Sequence, residues 1–231
     1  VLKCFSFTES QDAYDGVKSL LLDNTPFAEY DNKLGFFNNL YDSLELANNY
    51  FPKMLELVVY PEYKPYVVEL LAYGFLEEFF AYDNFKSKKD IIMRDAYIEL
   101  KRTVASQSED EESYYYGDET PYMYSNLFLD YYTLMCGFKK NKAAGTDKFF
   151  KDIYRITDKN FLLEAEIIHF KLGLEVDTAK INEVVQDVDY RVWAYNRMNN
   201  EDMLEYFPSS RCRLEQGAAR RCFYTARNRR F

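Results

Sequence analysis

Glu166 and His169 are spaced as E-x-x-H, which on a helix places a carboxylate and an imidazole on one face. Pairs of such motifs hold the metals of di-iron helix bundles. A second motif is excluded because His169 is the single histidine among 231 residues. We therefore predict that His169 lies in the core or on the surface of a helix, and we expect no metal, no cofactor and no catalytic residue.

The sequence also lacks the residue patterns of nucleophilic and phosphate-binding enzymes. Any Ser–His or Cys–His pair would have to use His169. The Lys-rich stretch between Gly137 and Gly145 lacks the terminal Gly-Lys-Ser/Thr of a phosphate-binding loop. With 38 acidic residues, carboxylates could pair in any fold, so their number identifies no site. We predict that the protein is not an enzyme.

The chain contains four cysteines, Cys4, Cys136, Cys212 and Cys222, an even number that allows three disulfide connectivities. Cys212 and Cys222 lie in a polar, Arg-rich stretch where a buried thiol is not expected, so we predict disulfide bonds and an oxidising compartment. A Cys212–Cys222 bond would stabilise the fold by roughly 2–3 kcal/mol, whereas a bond from Cys4 or Cys136 would tether the C-terminal end across the fold. Four reduced thiols in an intracellular protein are the alternative.

The net charge of −9 is the average of two opposite regions. Residues 209–231 contain seven Arg and one Glu, a charge of +6, which leaves −15 on the rest of the chain. An acidic body argues against nucleic-acid binding. The basic segment either contacts an anionic lipid, a glycan or an acidic protein, or it docks on the acidic body of its own chain. Its arginines are candidate partner-binding residues: Arg211, Arg213, Arg220, Arg221, Arg227, Arg229 and Arg230.

Aromatic residues make up 18% of the chain, with 22 Tyr and 19 Phe. This number exceeds what a core of this size hides, so we expect exposed tyrosines, which favour protein recognition. The run Tyr114, Tyr115 and Tyr116 joins the candidate partner-binding residues. The most apolar stretch, Val67–Tyr82, contains three glutamates and is too short to span a bilayer.

Helix-type periodicity dominates, and the prediction is an all-α fold: an irregular, disulfide-stabilised bundle of about nine or ten helices. We expect Gly137 and Gly173 to end two of the helices. One long helix is expected to begin at Asp177, with these apolar residues on one face: Ile181, Val184, Val185, Val188, Val192 and Tyr195. Capping residues and prolines predict the other helix starts near Thr8, Thr25, Pro65, Ser87, Thr120, Thr146 and Asp158.

Changes in composition predict the domain organisation. We expect a first helical unit over 1–104, an acidic Ser/Tyr-rich loop over 105–120, a second helical unit over 121–208 and an Arg-rich, cysteine-containing tail over 209–231. A single domain is the alternative. Because the sequence begins with Val1 rather than Met, we interpret it as a processed or trimmed chain.

Two segments recur at an offset of 95 residues. Asp23–Phe27 is similar to Asp118–Tyr122, and Tyr66–Glu69 is similar to Phe161–Glu164, without a gap. Two related helical units would produce this pattern. Chance is the alternative, because helix caps and aromatic helices recur in unrelated segments.

Several segments suggest a family: Thr25–Phe27, Lys33–Phe37 and Pro61–Tyr66. With the four cysteines and the Tyr/Phe-rich helices, they resemble the cysteine-containing region of the rhoptry-associated protein family of piroplasms such as Babesia and Theileria. The resemblance implies an antigen of an apicomplexan parasite, secreted from the rhoptry during erythrocyte invasion, that binds a receptor on the host-cell surface or assembles with protein partners. The end of the chain from Arg220 does not match the family's pattern.

The resemblance and the residues lead to one expectation, a non-enzymatic secreted binding protein that reaches the extracellular space or the host-cell surface. The alternative is an intracellular helical scaffold or interaction protein with free thiols. The sequence predicts no oligomeric state.

Overall fold

The computed structural model describes residues 11–22, 37, 40, 50, 54–107 and 126–208. Within these ranges the chain forms α-helices and short 3-10 helices and no β-strand, which confirms the predicted all-α class. The helices are α1 Gln11–Leu22, α2 Lys64–Leu76, α3 Tyr82–Phe85, α4 Lys89–Ser106, α5 Asn126–Lys140, α6 Thr146–Asp152, α7 Lys159–Lys171, α8 Thr178–Gln186 and α9 Val188–Asn200. The 3-10 helices are η1 Leu57–Val59, η2 Lys86–Lys88, η3 Ile153–Arg155 and η4 Leu204–Tyr206.

The helix starts follow capping chemistry. The Asp158 carboxylate accepts a hydrogen bond from the Phe161 N–H at 2.7 Å and begins α7 where predicted. Asp177 begins α8 in the same way. In α2, Pro65 occupies the first turn, where its missing N–H has no helical partner to lose.

The described residues divide into two compact units. The first contains residues up to Leu100 together with Asn126–Phe149, and the second contains the remainder. The predicted division placed all of 121–208 in the second unit, whereas α5 packs along α2 and so belongs to the first. Helix α4 also extends to Ser106, into the predicted 105–120 loop, of which residues 108–120 lie outside the described residues.

Gly137 does not end its helix, contrary to prediction. Helix α5 continues to Lys140 and is followed by Lys142, whose φ of 55° is left-handed. Gly137 is buried, and a Cβ added to it would lie 2.8 Å from the Phe75 ring. The glycine therefore permits close packing of α5 on α2 rather than a helix stop.

The single long helix predicted from Asp177 is also wrong. The chain breaks at Asp187, where φ is −73° and ψ is 125°, and the Asp187 carboxylate caps α9 by accepting from the Asp189 N–H at 3.0 Å. Ile181, Val184 and Val185 are buried as expected. Val188 and Val192, which were predicted on the same face, are exposed because they follow this break.

Helices α2 and α7 reproduce the offset of 95 residues that the sequence shows. Both helices have 13 residues, and both their first and their last residues are 95 positions apart. Each follows a 3-10 helix, η1 or η3, that ends in one extended residue, Tyr60 or Ile156. The similarity between Tyr66–Glu69 and Phe161–Glu164 therefore lies within two helices of identical length.

The turns after α2 and α7 are equivalent as well. Glu78 and Gly173, again 95 positions apart, have left-handed φ values of 61° and 64°. In both turns the next residue donates its N–H to the carbonyl five residues earlier, at 2.8 Å. This is the Schellman pattern of helix termination, repeated bond for bond.

Gly74 and Gly16 allow a matched test of this packing. A Cβ at Gly74 would lie 2.2 Å from the buried ring of Phe80, whereas a Cβ at Gly16 meets nothing within 4 Å. We expect Gly74→Ala to lower the free energy of unfolding by about 1–3 kcal/mol through overpacking. We expect Gly16→Ala to raise it by up to about 1 kcal/mol through helix propensity. Urea unfolding followed by circular dichroism measures both, and equal effects would contradict the contact between Gly74 and Phe80.

Candidate functional site

The E-x-x-H motif forms the centre of a buried charge cluster in the second unit. Glu166 on α7 is 0% exposed. Its Oε1 receives a hydrogen bond from Lys180 Nζ at 3.1 Å, and its Oε2 receives one from the Asp177 N–H at 2.7 Å. His169 Nδ1 lies 3.4 Å from Oε2. We refer to Glu166, His169, Asp177 and Lys180 as the Glu166 cluster.

The electrostatics of the cluster favour an ionised Glu166. Burial acts to raise the pKa of this carboxyl, but the His169 side chain, the Asp177 N–H and the Lys180 ammonium group together bring the pKa below its ordinary value. Lys180 Nζ also lies over the Tyr154 ring, 5.2 Å from its centroid. The cluster therefore connects α7 to the start of α8 through a charged group that is satisfied on both oxygens.

The first unit has no carboxylate at the position equivalent to Glu166. Glu166, Asp177 and Lys180 are replaced, 95 positions earlier, by Leu71, Tyr82 and Phe85. Leu71 and Phe85 are buried, and Phe85 makes edge-to-face contacts with neighbouring rings. Equivalent positions are thus apolar and aromatic in one unit and ionic in the other. The charge cluster is a specific feature of the second unit.

A second group of ion pairs joins α7 to α9. Arg197 binds Glu164 through two parallel contacts, Nε–Oε1 at 2.7 Å and Nη2–Oε2 at 2.9 Å. Arg197 Nη1 also binds Glu201, which in turn contacts Lys171 Nζ at 3.2 Å. Burial raises the pKa of Glu201, but the hydrogen bonds from these two cations outweigh it and leave the pKa lowered.

In the first unit, Asp95 is buried and contacts Lys64 Nζ at 2.7 Å and Arg94 Nε at 2.9 Å. Asp130 on α5 has a different environment. Burial, with the negative charge of Glu69 on α2, raises the pKa of Asp130 to about 7. Asp130 is therefore a carboxyl group that titrates near neutral pH within the packed α2–α5 pair.

The remaining predicted site residues are placed as follows. Cys136 is buried on α5, and no disulfide bond occurs among the residues that the structure describes. Cys4, Cys212 and Cys222, with the tyrosine run and all seven tail arginines, lie outside those residues. Disulfide bonding and partner binding by these residues stay predictions.

The described ranges contain neither a metal-ligand cluster nor a membrane-spanning helix. No set of three or more His, Cys, Asp and Glu side chains there is grouped so that it could hold a metal ion. Among the helices of the same ranges, none has the length and apolar character needed to cross a membrane.

Sequence reasoning missed two ion pairs of the second unit. Lys180 pairs with Glu166 across 14 positions, and Arg197 pairs with Glu164 across 33. No local spacing signals such distant pairs. The available signal was the comparison at offset 95, in which Glu166 and Lys180 correspond to the apolar residues Leu71 and Phe85.

Comparison with known proteins gives no match: no family model, no curated protein and no solved structure is similar to this chain.

Replacing Glu166 tests its role at the junction of α7 and α8. Glu166→Ala removes the acceptor of the half-buried Lys180 ammonium group and of the Asp177 N–H, so we expect the free energy of unfolding to fall by about 1–3 kcal/mol. Glu183→Ala, an exposed change on α8, is the matched control and should alter stability by less than about 0.5 kcal/mol. Hydrogen exchange should rise first at residues 177–181. Equal losses in both variants would contradict this role.

The raised pKa of Asp130 predicts that the free energy of unfolding falls as the pH rises, the opposite of the change produced by a salt-bridged carboxylate. The pKa of Asp130 in the folded state lies above its value in the unfolded state. Between about pH 4 and about pH 7 the unfolded chain therefore loses a proton that the folded chain keeps, and the free energy of unfolding falls as the pH rises. We expect Asp130→Asn to raise the free energy of unfolding by about 2–4 kcal/mol at pH 8 and to change it little at pH 4.

Urea unfolding over this pH range measures the effect of Asp130→Asn. Glu69→Gln is the companion variant, because it removes the neighbouring negative charge but keeps Asp130. It should shift the inflection in the stability–pH curve to lower pH. A pH-independent effect of Asp130→Asn would contradict the raised pKa.

Proposed function

We propose that the protein is a non-enzymatic binding protein, secreted by an apicomplexan parasite and related to the rhoptry-associated proteins, the family suggested by its four cysteines and short aromatic segments. The observation that supports a non-enzymatic role is the state of the E-x-x-H motif. Both oxygens of Glu166 are occupied by groups of the chain itself, and the side chain is 0% exposed. The motif thus acts as an internal connection between helices.

Exposed aromatic and aliphatic side chains support the same proposal. Tyr154 is 71% exposed and Phe79 is 51% exposed, so both large side chains lie at the surface and outside the buried core. Large exposed side chains of this kind are typical of protein-recognition surfaces. The basic segment 209–231 would add charge attraction to an anionic cell surface.

Two features of the fold, a repeated helical unit and disulfide bonds, belong to the same proposal. We propose two related helical units, on the basis of the matching helices α2 and α7 and their matching terminal turns. We also propose disulfide bonds that involve Cys212 and Cys222, together with the secretory location that such bonds imply.

Binding of the purified chain to erythrocytes tests the proposal. We expect saturable binding that falls at least about tenfold when the seven tail arginines are changed to Gln, because each lost cation weakens attraction to an anionic surface by about 1 kcal/mol. The matched control changes the same seven residues to Lys and preserves the charge. An absence of saturable binding by the unmodified chain would overturn the adhesive role.

A thiol count distinguishes the alternative function. Under denaturing, non-reducing conditions, a disulfide-bonded secreted protein should show fewer than four reactive thiols. Four reactive thiols would favour the intracellular helical scaffold.

A further inference from the structure

The C-terminal end of α2 has two exposed aromatic residues. Tyr73, in the last turn of the helix, is 42% exposed, and Phe79, just after the helix, is 51% exposed. The N–H of Phe79 donates to the carbonyl of Gly74 at 2.8 Å, in the Schellman pattern described above. This pattern turns the chain back along the last turn of its helix, so Tyr73 and Phe79 lie at the same end of α2. We call Tyr73, Glu78 and Phe79 the α2-end surface.

The equivalent turn of the second unit has less exposed apolar residues. Ile168 and Leu174 occupy the positions of Tyr73 and Phe79, 95 residues later. Ile168 is 3% exposed, and Leu174 is half-buried. The same hydrogen-bonded turn thus leaves two large rings at the surface in the first unit only. The exposed pair is therefore a specific feature of the first unit, since termination of the helix does not require it.

Glu78, directly before Phe79, has a backbone conformation that favours glycine. Its φ is 61°, and the equivalent residue, with a φ of 64°, is Gly173. A Cβ makes this left-handed region less favourable, whereas glycine adopts it without such a penalty. The first unit therefore has an exposed carboxylate at a position where glycine would make the turn more stable.

The sequence around the α2-end surface is acidic. Residues 61–85 contain five acidic residues and one lysine, Lys64, which contacts the buried Asp95. Glu69, one helical turn before Tyr73, is exposed, as is Glu78. A carboxylate beside exposed rings matches an arginine side chain. The planar guanidinium group pairs with a carboxylate through two hydrogen bonds and stacks on aromatic rings, whereas a lysine ammonium group has the charge without this geometry.

We propose that the α2-end surface is a docking site for a basic, arginine-containing segment of a partner protein. The arginine pairs with the Glu78 carboxylate and stacks on the Phe79 ring, and apolar side chains of the same segment cover Tyr73. The proposal rests on the binding role proposed above and specifies the chemistry of the partner that one surface of the first unit binds.

Binding of synthetic peptides to the full chain tests the proposal. The probe is a fluorescein-labelled peptide of Arg-Arg-Leu repeats, and its control has Lys in place of every Arg and therefore the same charge. We expect the arginine peptide to bind saturably and the lysine peptide to bind at least about fivefold more weakly, as measured by fluorescence anisotropy. Equal affinities for the two peptides would indicate general charge attraction and would overturn the proposal.

Variants of the chain locate the binding site. Phe79→Ser should weaken binding of the arginine peptide at least about fivefold. The matched control is Tyr154→Ser, which removes a 71% exposed ring from the second unit and should leave the affinity unchanged. Equal affinities of these two variants for the arginine peptide would overturn the proposal.

Glu78→Gly separates binding from folding. It should weaken binding of the arginine peptide at least about fivefold, because it removes the carboxylate. It should also raise the midpoint of thermal unfolding, because glycine accepts the φ of 61°. Glu175→Gln, an exposed change just after the equivalent turn, removes the same charge from the second unit and should alter neither quantity. Equal affinities of the Glu78→Gly and Glu175→Gln variants would overturn the proposal.

The erythrocyte assay distinguishes a failure of this proposal from a failure of the proposed function. Saturable erythrocyte binding without binding of the arginine peptide would overturn the role of the α2-end surface and leave the adhesive role in place. Peptide binding without erythrocyte binding would support the α2-end surface and overturn the adhesive role. Sedimentation that shows a dimer disrupted by Phe79→Ser would assign the surface to a second copy and would overturn the proposal.

Discussion

The burial of the Glu166 carboxylate is the constraint on which the second unit depends. A carboxylate that is 0% exposed must obtain both hydrogen bonds and a counter-charge from the protein. Lys180 and the Asp177 N–H meet this requirement, and both belong to the start of α8. The position of α8 on α7 is thereby tied to one side chain, and α9 follows after a single-residue break. The apolar core packs between the same helices, with Ile167 of α7 and Ile181 and Val184 of α8 in one buried cluster.

The first unit has different contacts at the positions equivalent to this cluster. Leu71 and Phe85 occupy the positions of Glu166 and Lys180, and aromatic edge-to-face contacts take the place of the ion pair. Apolar contacts tolerate small displacements, whereas a buried ion pair requires specific atoms at specific distances. Helices α2 and α7 therefore share a length and a terminal turn, whereas the contacts at the positions of Glu166 and Lys180 differ between the two units.

Much of the fold could be predicted from local signals. Asp158 and Asp177 cap helices where expected, and Gly173 ends one, because caps and stops depend on a few neighbouring residues. Gly137 gave a false stop, since the constraint on it is the Phe75 ring on another helix. The helix break at Asp187 was missed because the apolar spacing of Val184 and Val188 continues across it. The division into units was also missed, because the packing of α5 on α2 cannot be seen in the sequence of either helix alone.

For the candidate site, the E-x-x-H spacing located Glu166. The role of Glu166 depends on Lys180, which lies too far along the chain for a local pattern to indicate the pair.

The single tryptophan of the chain lies on α9, against the Tyr190 ring and the core of the second unit. Tyrosine and phenylalanine, by contrast, are present in both units. Intrinsic emission excited at the red edge of the absorption band thus reports on the second unit alone, while the far-ultraviolet signal sums both. One unlabelled sample consequently contains two separate optical probes, and any difference between their transitions reveals whether the two units unfold together.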